Sequence, residues 1–425
     1  MRFIKDSTKV FLSQLICLLC GFVSSVIVAR AIGASGKGIY ELVKIITWLG
    51  SIFIGFGVEE ATIYYVSKYP EKREAILSNI IFFTIISGAI FSILLAYNSQ
   101  WFITHPLPNL DKFFFILAVA CIPAFTLSRC ITAFFQGMRE FNFYLISHIV
   151  FSINLLICSI FAFKGVTFAI IGLTCVFFSS SIVNLILLMS KVKLRTLPDF
   201  KLLLKILSYG IRAQIGILIR FVNLRADNFI LNYYAGTSAV GIYSVSVALA
   251  EALWKIPSAF ATVLLPRIAS FSNEKIKEYT ERTMSITTLL VIGGIIVLFL
   301  LGKPLIRLLW GKSFSLSYIP MLWLFPGILS LSISKICSSV FHGKGKPEYG
   351  SLLSIISCVI MLPLDFILIP KYNVVGASIA TSISYGVSGI VALLLLFRLI
   401  KGVEFKKLFS LRINYHEILS FLKLK

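Results

Sequence analysis

One helix-length stretch, Ser208–Gly236, combines an apolar composition with side chains that can bind a charged ligand. At about 100° per residue, one face of a helix through this stretch carries Arg212, Arg220, Asn223 and Asp227. Ionisable groups are costly against lipid, so we expect this face to border a water-filled cavity or a charged ligand. Guanidinium groups bind phosphate through a planar pair of N–H donors, which makes an anionic ligand the natural occupant.

The composition requires a membrane-embedded framework for these residues. The chain of 425 residues is 58% hydrophobic and 14% charged, with a mean hydropathy of +0.93, which excludes a soluble globular protein. A net charge of +22 also occurs in nucleic-acid-binding proteins. Here, however, the basic residues crowd short loops between apolar segments, as membrane topology requires. We therefore expect no nucleic-acid partner.

Apolar windows of about 20 residues predict twelve transmembrane helices. They are assigned to residues 10–31, 42–65, 76–97, 113–135, 143–163, 166–189, 208–234, 240–264, 284–302, 316–342, 349–369 and 375–399. Most loop lysines and arginines fall on the side that holds both termini, which predicts that both termini are cytoplasmic. The last residues, 401–425, indicate an amphipathic basic helix on the cytoplasmic membrane face, with a disordered basic tail as the alternative.

Two pairs of similar segments indicate that the chain contains two copies of one six-helix unit. Ile32–Tyr40 aligns with Ala235–Tyr243, and Ser128–Gly137 aligns with Ser334–Gly343. Since each copy has an even number of helices, both enter the membrane in the same sense, as parallel repeats. The predicted fold is therefore an all-α polytopic membrane protein with two parallel six-helix lobes around a central cationic cavity. Its predicted parts are an N-lobe (1–189), a basic cytoplasmic linker (190–206), a C-lobe (207–400) and an amphipathic basic tail (401–425).

The second alignment pairs Arg129 with Lys335, two cations inside apolar helices. On opposite walls of one cavity they would, with Arg212 and Arg220, form a cationic lumen for phosphate or pyrophosphate. Asn223 lies on the same helix face as these arginines. The alternative is that each cation extends its side chain to the membrane interface.

Several ionisable residues are candidates for ion coupling or for charge compensation. Asp227 is either a counter-ion of a neighbouring arginine or a carrier of a proton or Na⁺. Glu251 and Lys255 are spaced i, i+4, as a buried structural pair or as part of the coupling machinery. Of the adjacent Glu59 and Glu60, at most one faces the lumen, and Glu60 is taken as the coupling candidate.

Signals of enzymatic chemistry are missing from the sequence. The four histidines have no metal-ligand spacing, and no P-loop or Rossmann glycine signature occurs, so we expect no metal, no cofactor and no catalytic residue. A membrane-embedded polysaccharide polymerase or ligase remains an alternative, but its external catalytic loop would have to fit within residues 98–112 or 303–315. Asp365, alone in its helix, is interpreted as an interfacial carboxylate.

The chain resembles the oligosaccharide-lipid flippases of the polysaccharide biosynthesis family, within the superfamily of multidrug and polysaccharide exporters. The resemblance covers almost the whole chain. The motifs that carry it are Ala29–Gly33, Gly36–Tyr40, Asp227 followed by Val240–Ser244, Ile256–Pro257, Leu265–Pro266, Phe341–Gly343 and Ile367–Thr381.

This resemblance implies twelve helices in two lobes and export of an undecaprenyl-pyrophosphate-linked sugar repeat unit by alternating access. It places the protein in a bacterial inner membrane, where O-antigen, capsule or exopolysaccharide units are moved to the periplasmic leaflet. Lumen arginines and lysines would hold the pyrophosphate and sugar, while the lipid tail stays in the bilayer among membrane lipids. An H⁺ or Na⁺ gradient would drive transport, with a polysaccharide polymerase and chain-length proteins as implied partners. A cation-coupled multidrug exporter of the same superfamily is the alternative.

Overall fold

The computed structural model describes residues 2–192, 197–270, 273–400 and 402–408, which form α-helices joined by short turns. The helices are α1 (Arg2–Gly55), α2 (Val58–Lys68), α3 (Arg73–Tyr97), α4 (Ser99–Thr104), α5 (Lys112–Gly137), α6 (Phe141–Ser159), α7 (Val166–Met189), α8 (Phe200–Ser270), α9 (Asn273–Leu309), α10 (Tyr318–Gly343), α11 (Pro347–Leu399) and α12 (Phe405–Leu408). Short 3-10 helices occupy Pro70–Lys72, Ile160–Lys164 and Lys312–Ser317.

Nine helical stretches among the described residues are long and apolar enough to cross a membrane. Three of them, Leu15–Gly55, Phe200–Leu265 and Pro347–Leu399, have 41, 66 and 53 residues, more than one crossing requires. The residues with non-helical backbone angles inside these three stretches are Gly33, Gly236 and Asn373. The prediction of an all-helical membrane protein is confirmed, whereas the count of twelve spans stays a prediction.

Gly33 and Gly236, which the repeat alignment places at equivalent positions, share one backbone conformation. Gly33 has φ 68° and ψ −172°, and Gly236 has φ 80° and ψ 176°. Positive φ combined with extended ψ is accessible essentially to glycine alone. Each glycine therefore permits a sharp change of direction within an otherwise continuous helix.

The segments that follow these two glycines contact each other reciprocally. A Cβ atom on Gly38 would collide with the carbonyl oxygen of Thr237, and one on Gly241 would collide with the carbonyl oxygen of Ala34. The hydroxyl groups of Ser35 and Thr237 lie 2.9 Å apart, within hydrogen-bonding distance. The two aligned motifs are therefore in direct backbone contact, which only glycine permits at positions 38 and 241.

The second aligned pair of segments also ends in two similar turns. After Gly137 and after Gly343, three successive amide groups donate to carbonyl groups four, three and five positions back. Gly137 packs on Val66 of α2, and Gly343 packs on Ile268 of α8. The two alignments read from the sequence thus correspond to matching local structures.

The described residues divide into two compact units. The first lies within Met1–Ile242 and Leu309–Ser313, and the second within Tyr243–Leu308 and Phe314–Lys425. In the first unit α5 packs against α1, α2, α3 and α7. In the second unit α10 packs along α11.

Each unit has its own apolar core. Phe134 and Phe135 of α5 lie at the centre of the core formed by α2, α3, α5, α7 and the start of α8. In the second unit, Met284 of α9 and Phe341 of α10 are fully buried among residues of α8, α9, α10 and α11. In contrast, large apolar side chains of α3 and α9 are exposed, as lipid-facing helices require.

Two element boundaries differ from the prediction, and each has a local cause. The helix predicted from residue 208 begins at Phe200, because the carboxylate of Asp199 accepts hydrogen bonds from the amides of Lys201 and Leu202 at 2.9 and 3.2 Å. The helix predicted over 42–65 is broken between α1 and α2, where Gly57 has a φ of 68°. Most of the tail predicted as amphipathic, residues 401 and 409–425, lies outside the described residues.

Candidate functional site

An ion pair between Glu59 of α2 and Arg129 of α5 is the central feature of the first unit. The Arg129 Nη2 atom lies 2.7 Å from Glu59 Oε2, and the two side chains are only 27% and 18% exposed. Arg129 Nη1 also donates to the Ser51 hydroxyl at 3.4 Å, and its guanidinium lies 5.7 Å from the centroid of the Phe125 ring. The predicted lumen cation is thus compensated by a carboxylate that the sequence did not assign to it.

Two more ionisable residues belong to this group. Arg220 of α8 and Glu60 both interact electrostatically with Glu59. The Oε2 atom of Glu60 is buried and has no hydrogen-bond partner among the described residues. We call Glu59, Glu60, Arg129 and Arg220 the charged cluster. Its two cations and two carboxylates balance, so an incoming phosphate group would have to compete with the carboxylates for the arginines.

The break between α1 and α2 positions this cluster. Gly57 lies directly against the backbone of Gly210, with no room for a Cβ atom. One turn farther along α8, Gln214 donates from Nε2 to the Ile52 carbonyl at 2.6 Å. These contacts hold the first part of α8 against α1 and α2, which brings Arg220 near Glu59.

The other residues predicted on the polar face of α8 lie in different environments. Arg212 is exposed and Asn223 is half-buried. Asp227 is only 4% exposed and accepts a hydrogen bond from Asn228 Nδ2 at 2.8 Å. Arg225, which points away from that face, lies 5.9 Å from the centroid of the Trp48 ring. The predicted pairing of Asp227 with an arginine stays a prediction.

The remaining candidates lie in the second unit. The Lys335 ammonium group is 4.8 Å from the centroid of the Trp254 ring, a cation–π contact. Glu251 is half-buried and Lys255 is exposed. Asp365 is fully buried, which corrects its interpretation as an interfacial carboxylate. Arg129 and Lys335 belong to different units, and their placement across one cavity stays a prediction.

A buried group that the sequence did not single out lies in the first unit. Lys37 is only 1% exposed and pairs with Glu41 at 2.6 Å, and Glu41 also binds Lys44 at 2.9 Å. The signal was present as i, i+4 and i, i+3 spacing, but spacing does not reveal burial. Glu41 is thus shared by two ammonium groups, and the three side chains together carry one net positive charge.

The ionisable side chains of the candidate site are arginines, lysines and carboxylates. Among the described residues, no group of three histidine, cysteine, aspartate or glutamate side chains is placed to hold a metal ion. Guanidinium and ammonium groups bind anions, and carboxylates can take up and release protons.

Comparison with known proteins identifies relatives along the whole chain. The family described as polysaccharide biosynthesis protein matches residues 3–272, and the family described as MatE matches residues 215–367. A putative O-antigen transporter of Shigella flexneri is 22% identical over 398 residues, covering 90% of this chain and 95% of the relative.

Two solved structures share the fold. The lipid II flippase MurJ in an inward closed conformation superposes with a TM-score of 0.76 at 18% identity, covering 99% of this chain and 91% of that one. An inward-facing multidrug resistance MATE family transporter superposes with a TM-score of 0.75 at 13% identity, covering 94% and 98%. At these identities the likeness establishes the fold and not the transported substrate.

Proposed function

Because the chain belongs to the polysaccharide biosynthesis protein family, we propose that it is a flippase for an undecaprenyl-pyrophosphate-linked oligosaccharide. It moves the repeat unit from the cytoplasmic to the periplasmic leaflet of a bacterial inner membrane. The observation that carries the proposal is the charged cluster, in which an anionic headgroup can replace carboxylates as the partner of two arginines on different helices. The relative named a putative O-antigen transporter supports the same substrate class.

The proposed architecture has twelve spans in two parallel lobes, over residues 1–189 and 207–400, with linker 190–206 and tail 401–425. The non-helical residues inside the three longest helices support it, because each divides a helix into two segments that can cross separately. The excess of lysine and arginine in one set of loops supports cytoplasmic termini.

In this proposal the cationic lumen comprises Arg129, Arg212, Arg220 and Lys335, with Asn223 as a neutral hydrogen-bond donor. Pyrophosphate displaces Glu59 from Arg129, and the lipid tail remains in the bilayer. An H⁺ or Na⁺ gradient resets the carrier. The carboxylates available for coupling are Asp227, Glu251 and Glu60. Lys255 lies one helical turn after Glu251.

Transport requires no bond to be made or broken, so the proposed protein is not an enzyme and needs no cofactor. A polysaccharide polymerase and chain-length proteins would act on the flipped repeat unit at the periplasmic face. The relatives named as transporters and flippases support a transport function.

The proposal is tested by reconstitution into liposomes with fluorescently labelled undecaprenyl-pyrophosphate oligosaccharide. We expect translocation by the wild type, faster with a pH or Na⁺ gradient, and its loss in the triple variant Arg129→Ala, Lys335→Ala, Arg220→Ala. Transport by the triple variant at the wild-type rate would refute the cationic lumen. Failure of the wild type to move the lipid under either gradient would refute the flippase itself.

A multidrug exporter is the second candidate, favoured by the MatE match over residues 215–367 and by the MATE fold likeness. A lumen for cationic drugs would favour acidic and aromatic residues over arginine and lysine. Resistance of expressing cells to cationic dyes, without translocation of the oligosaccharide lipid, would support this exporter instead.

A further inference from the structure

Four tyrosines from two elements and one turn form a contiguous aromatic surface beside the charged cluster. Tyr64 and Tyr65 lie on α2, Tyr69 follows its end, and Tyr209 lies on α8. The rings of Tyr64 and Tyr209 stack with centroids 4.6 Å apart and an interplanar angle of 11°. Tyr65 contacts Tyr64, Tyr69 and Tyr209 at 5.3, 5.9 and 6.0 Å. We call these four residues the tyrosine platform.

Two lysines border the platform, and one of them donates a hydrogen bond to a tyrosine hydroxyl group. Lys68 donates to the Tyr64 hydroxyl at 2.8 Å and lies 5.1 and 5.4 Å from the ring centroids of Tyr64 and Tyr69. This hydrogen bond raises the pKa of the Lys68 ammonium group, so the lysine is charged at neutral pH. Lys72 lies 5.7 Å from the Tyr69 ring centroid and also lines a cavity of about 690 Å³.

The platform remains accessible although its rings pack together. Tyr64 and Tyr209 are each 37% exposed, so part of each side chain can be reached by a ligand. Tyr65 is tied in place because its hydroxyl donates to the Lys205 carbonyl at 3.3 Å. The surface is therefore fixed by its own contacts and combines partly exposed tyrosine side chains with neighbouring ammonium groups.

Along α2 the platform lies next to the carboxylates of the charged cluster, one of which, Glu59, pairs with Arg129. Glu60, Tyr64 and Lys68 follow each other at i, i+4 spacing, so they share one helix face and are separated by about 6 Å per step. The charged cluster and the platform are therefore one helical turn apart. A ligand whose charged and sugar parts are directly joined would contact both.

We propose that the tyrosine platform binds the sugar portion of the transported lipid, next to the pyrophosphate held by the charged cluster. This proposal rests on the proposed flippase function. A pyranose ring has one face of C–H groups, which packs on the electron-rich face of an aromatic ring, and a rim of hydroxyl groups. The tyrosine hydroxyls and the lysine ammonium groups provide hydrogen bonds for that rim. Sugar recognition is thereby assigned to residues outside the predicted cationic lumen.

The test compares two probes on the full-length protein in nanodiscs. They are undecaprenyl pyrophosphate and the same lipid carrying N-acetylglucosamine, with equilibrium binding measured for each. In the Tyr64→Leu/Tyr209→Leu variant we expect about five- to ten-fold weaker binding of the glycosylated probe and unchanged binding of the bare probe. The Tyr64→Phe/Tyr209→Phe variant keeps the rings and should retain most of the affinity for the sugar.

A matched control uses a pair of adjacent tyrosines on α8 that lies outside the platform. Tyr233 and Tyr234 are 51% and 45% exposed and contact each other edge to face at 4.9 Å. Their double substitution by leucine should change neither affinity. If the leucine variant of the platform weakens both probes equally, the tyrosines anchor the protein at the membrane interface or hold its structure, and the platform proposal fails.

The remaining outcomes distinguish failure of the platform proposal from failure of the flippase proposal. Equal affinity of the wild type for the two probes, or equal affinity of wild type and platform variant for the glycosylated probe, overturns the platform and leaves the flippase standing. Absence of binding of either probe to the wild type overturns the proposed flippase, and the platform with it.

Discussion

Replacing Glu59 by glutamine should strengthen the binding of a pyrophosphate lipid, because Glu59 competes with the ligand for Arg129. Two opposite charges at about 4 Å attract by about 4 kcal/mol at an effective dielectric constant of 20. The side chains are 18% and 27% exposed, so desolvation and entropy reduce the net value to about 1–2 kcal/mol. Arg129 is then free of Glu59 in about one molecule in ten, and removing the carboxylate should tighten binding about ten-fold.

The assay is equilibrium binding of undecaprenyl pyrophosphate to the full-length protein in nanodiscs. Glu60→Gln removes the adjacent carboxylate and serves as the matched control, with an expected gain of no more than about three-fold. Arg129→Gln should weaken binding, and adding Glu59→Gln to it should no longer strengthen it, as a double-mutant cycle would show. Weaker binding by Glu59→Gln, or the same gain in the absence of Arg129, would refute the competition.

Two further outcomes follow from the contacts of the first unit. Gly57→Ala should lower the melting temperature, because a left-handed backbone and the collision with Gly210 together cost about 2–4 kcal/mol. Gly216 has open space around it, so the control variant Gly216→Ala should not lower the melting temperature. Equal melting temperatures of the two variants would contradict the close approach of Gly57 and Gly210. The double variant Ser35→Cys, Thr237→Cys should form a disulfide on oxidation, because the native hydroxyl groups are 2.9 Å apart. We expect this disulfide to stop transport until a reductant is added. Transport at an unchanged rate despite complete cross-linking would show that the contact persists throughout the transport cycle.

Hydropathy and repeat patterns predicted much of the fold because both can be read from short segments of the sequence. The all-helical membrane class follows from the apolar windows, and the equivalence of Gly33 with Gly236 was visible as an aligned motif. The backbone conformation at these glycines could not be predicted in the same way. A glycine inside an apolar helix is compatible with either a straight or a bent chain.

The candidate site was harder to predict because burial and pairing depend on contacts between distant segments. The repeat alignment identified Arg129 but not its partner. Adjacent residues such as Glu59 and Glu60 point about 100° apart on any helix, so only one of them was expected to face the lumen, and Glu60 was chosen. The break at Gly57 changes the direction of α2 relative to α1. A helix assumed to be continuous through residues 42–65 therefore assigns the wrong directions to the side chains of Glu59 and Glu60. The burial of Lys37 and Asp365 likewise depends on neighbours that hydropathy does not reveal.

The reciprocal contact of Gly38 and Gly241 has a consequence for how such a protein evolves. After a gene duplicates internally, each half is normally free to accumulate changes, as Arg220, which aligns with Cys17, illustrates. At the glycine contact this freedom is lost, because the backbones of the two aligned segments touch and a side chain on either glycine would meet a carbonyl group. Close packing therefore keeps both positions glycine, while a charged residue such as Arg220 has no counterpart in the aligned segment.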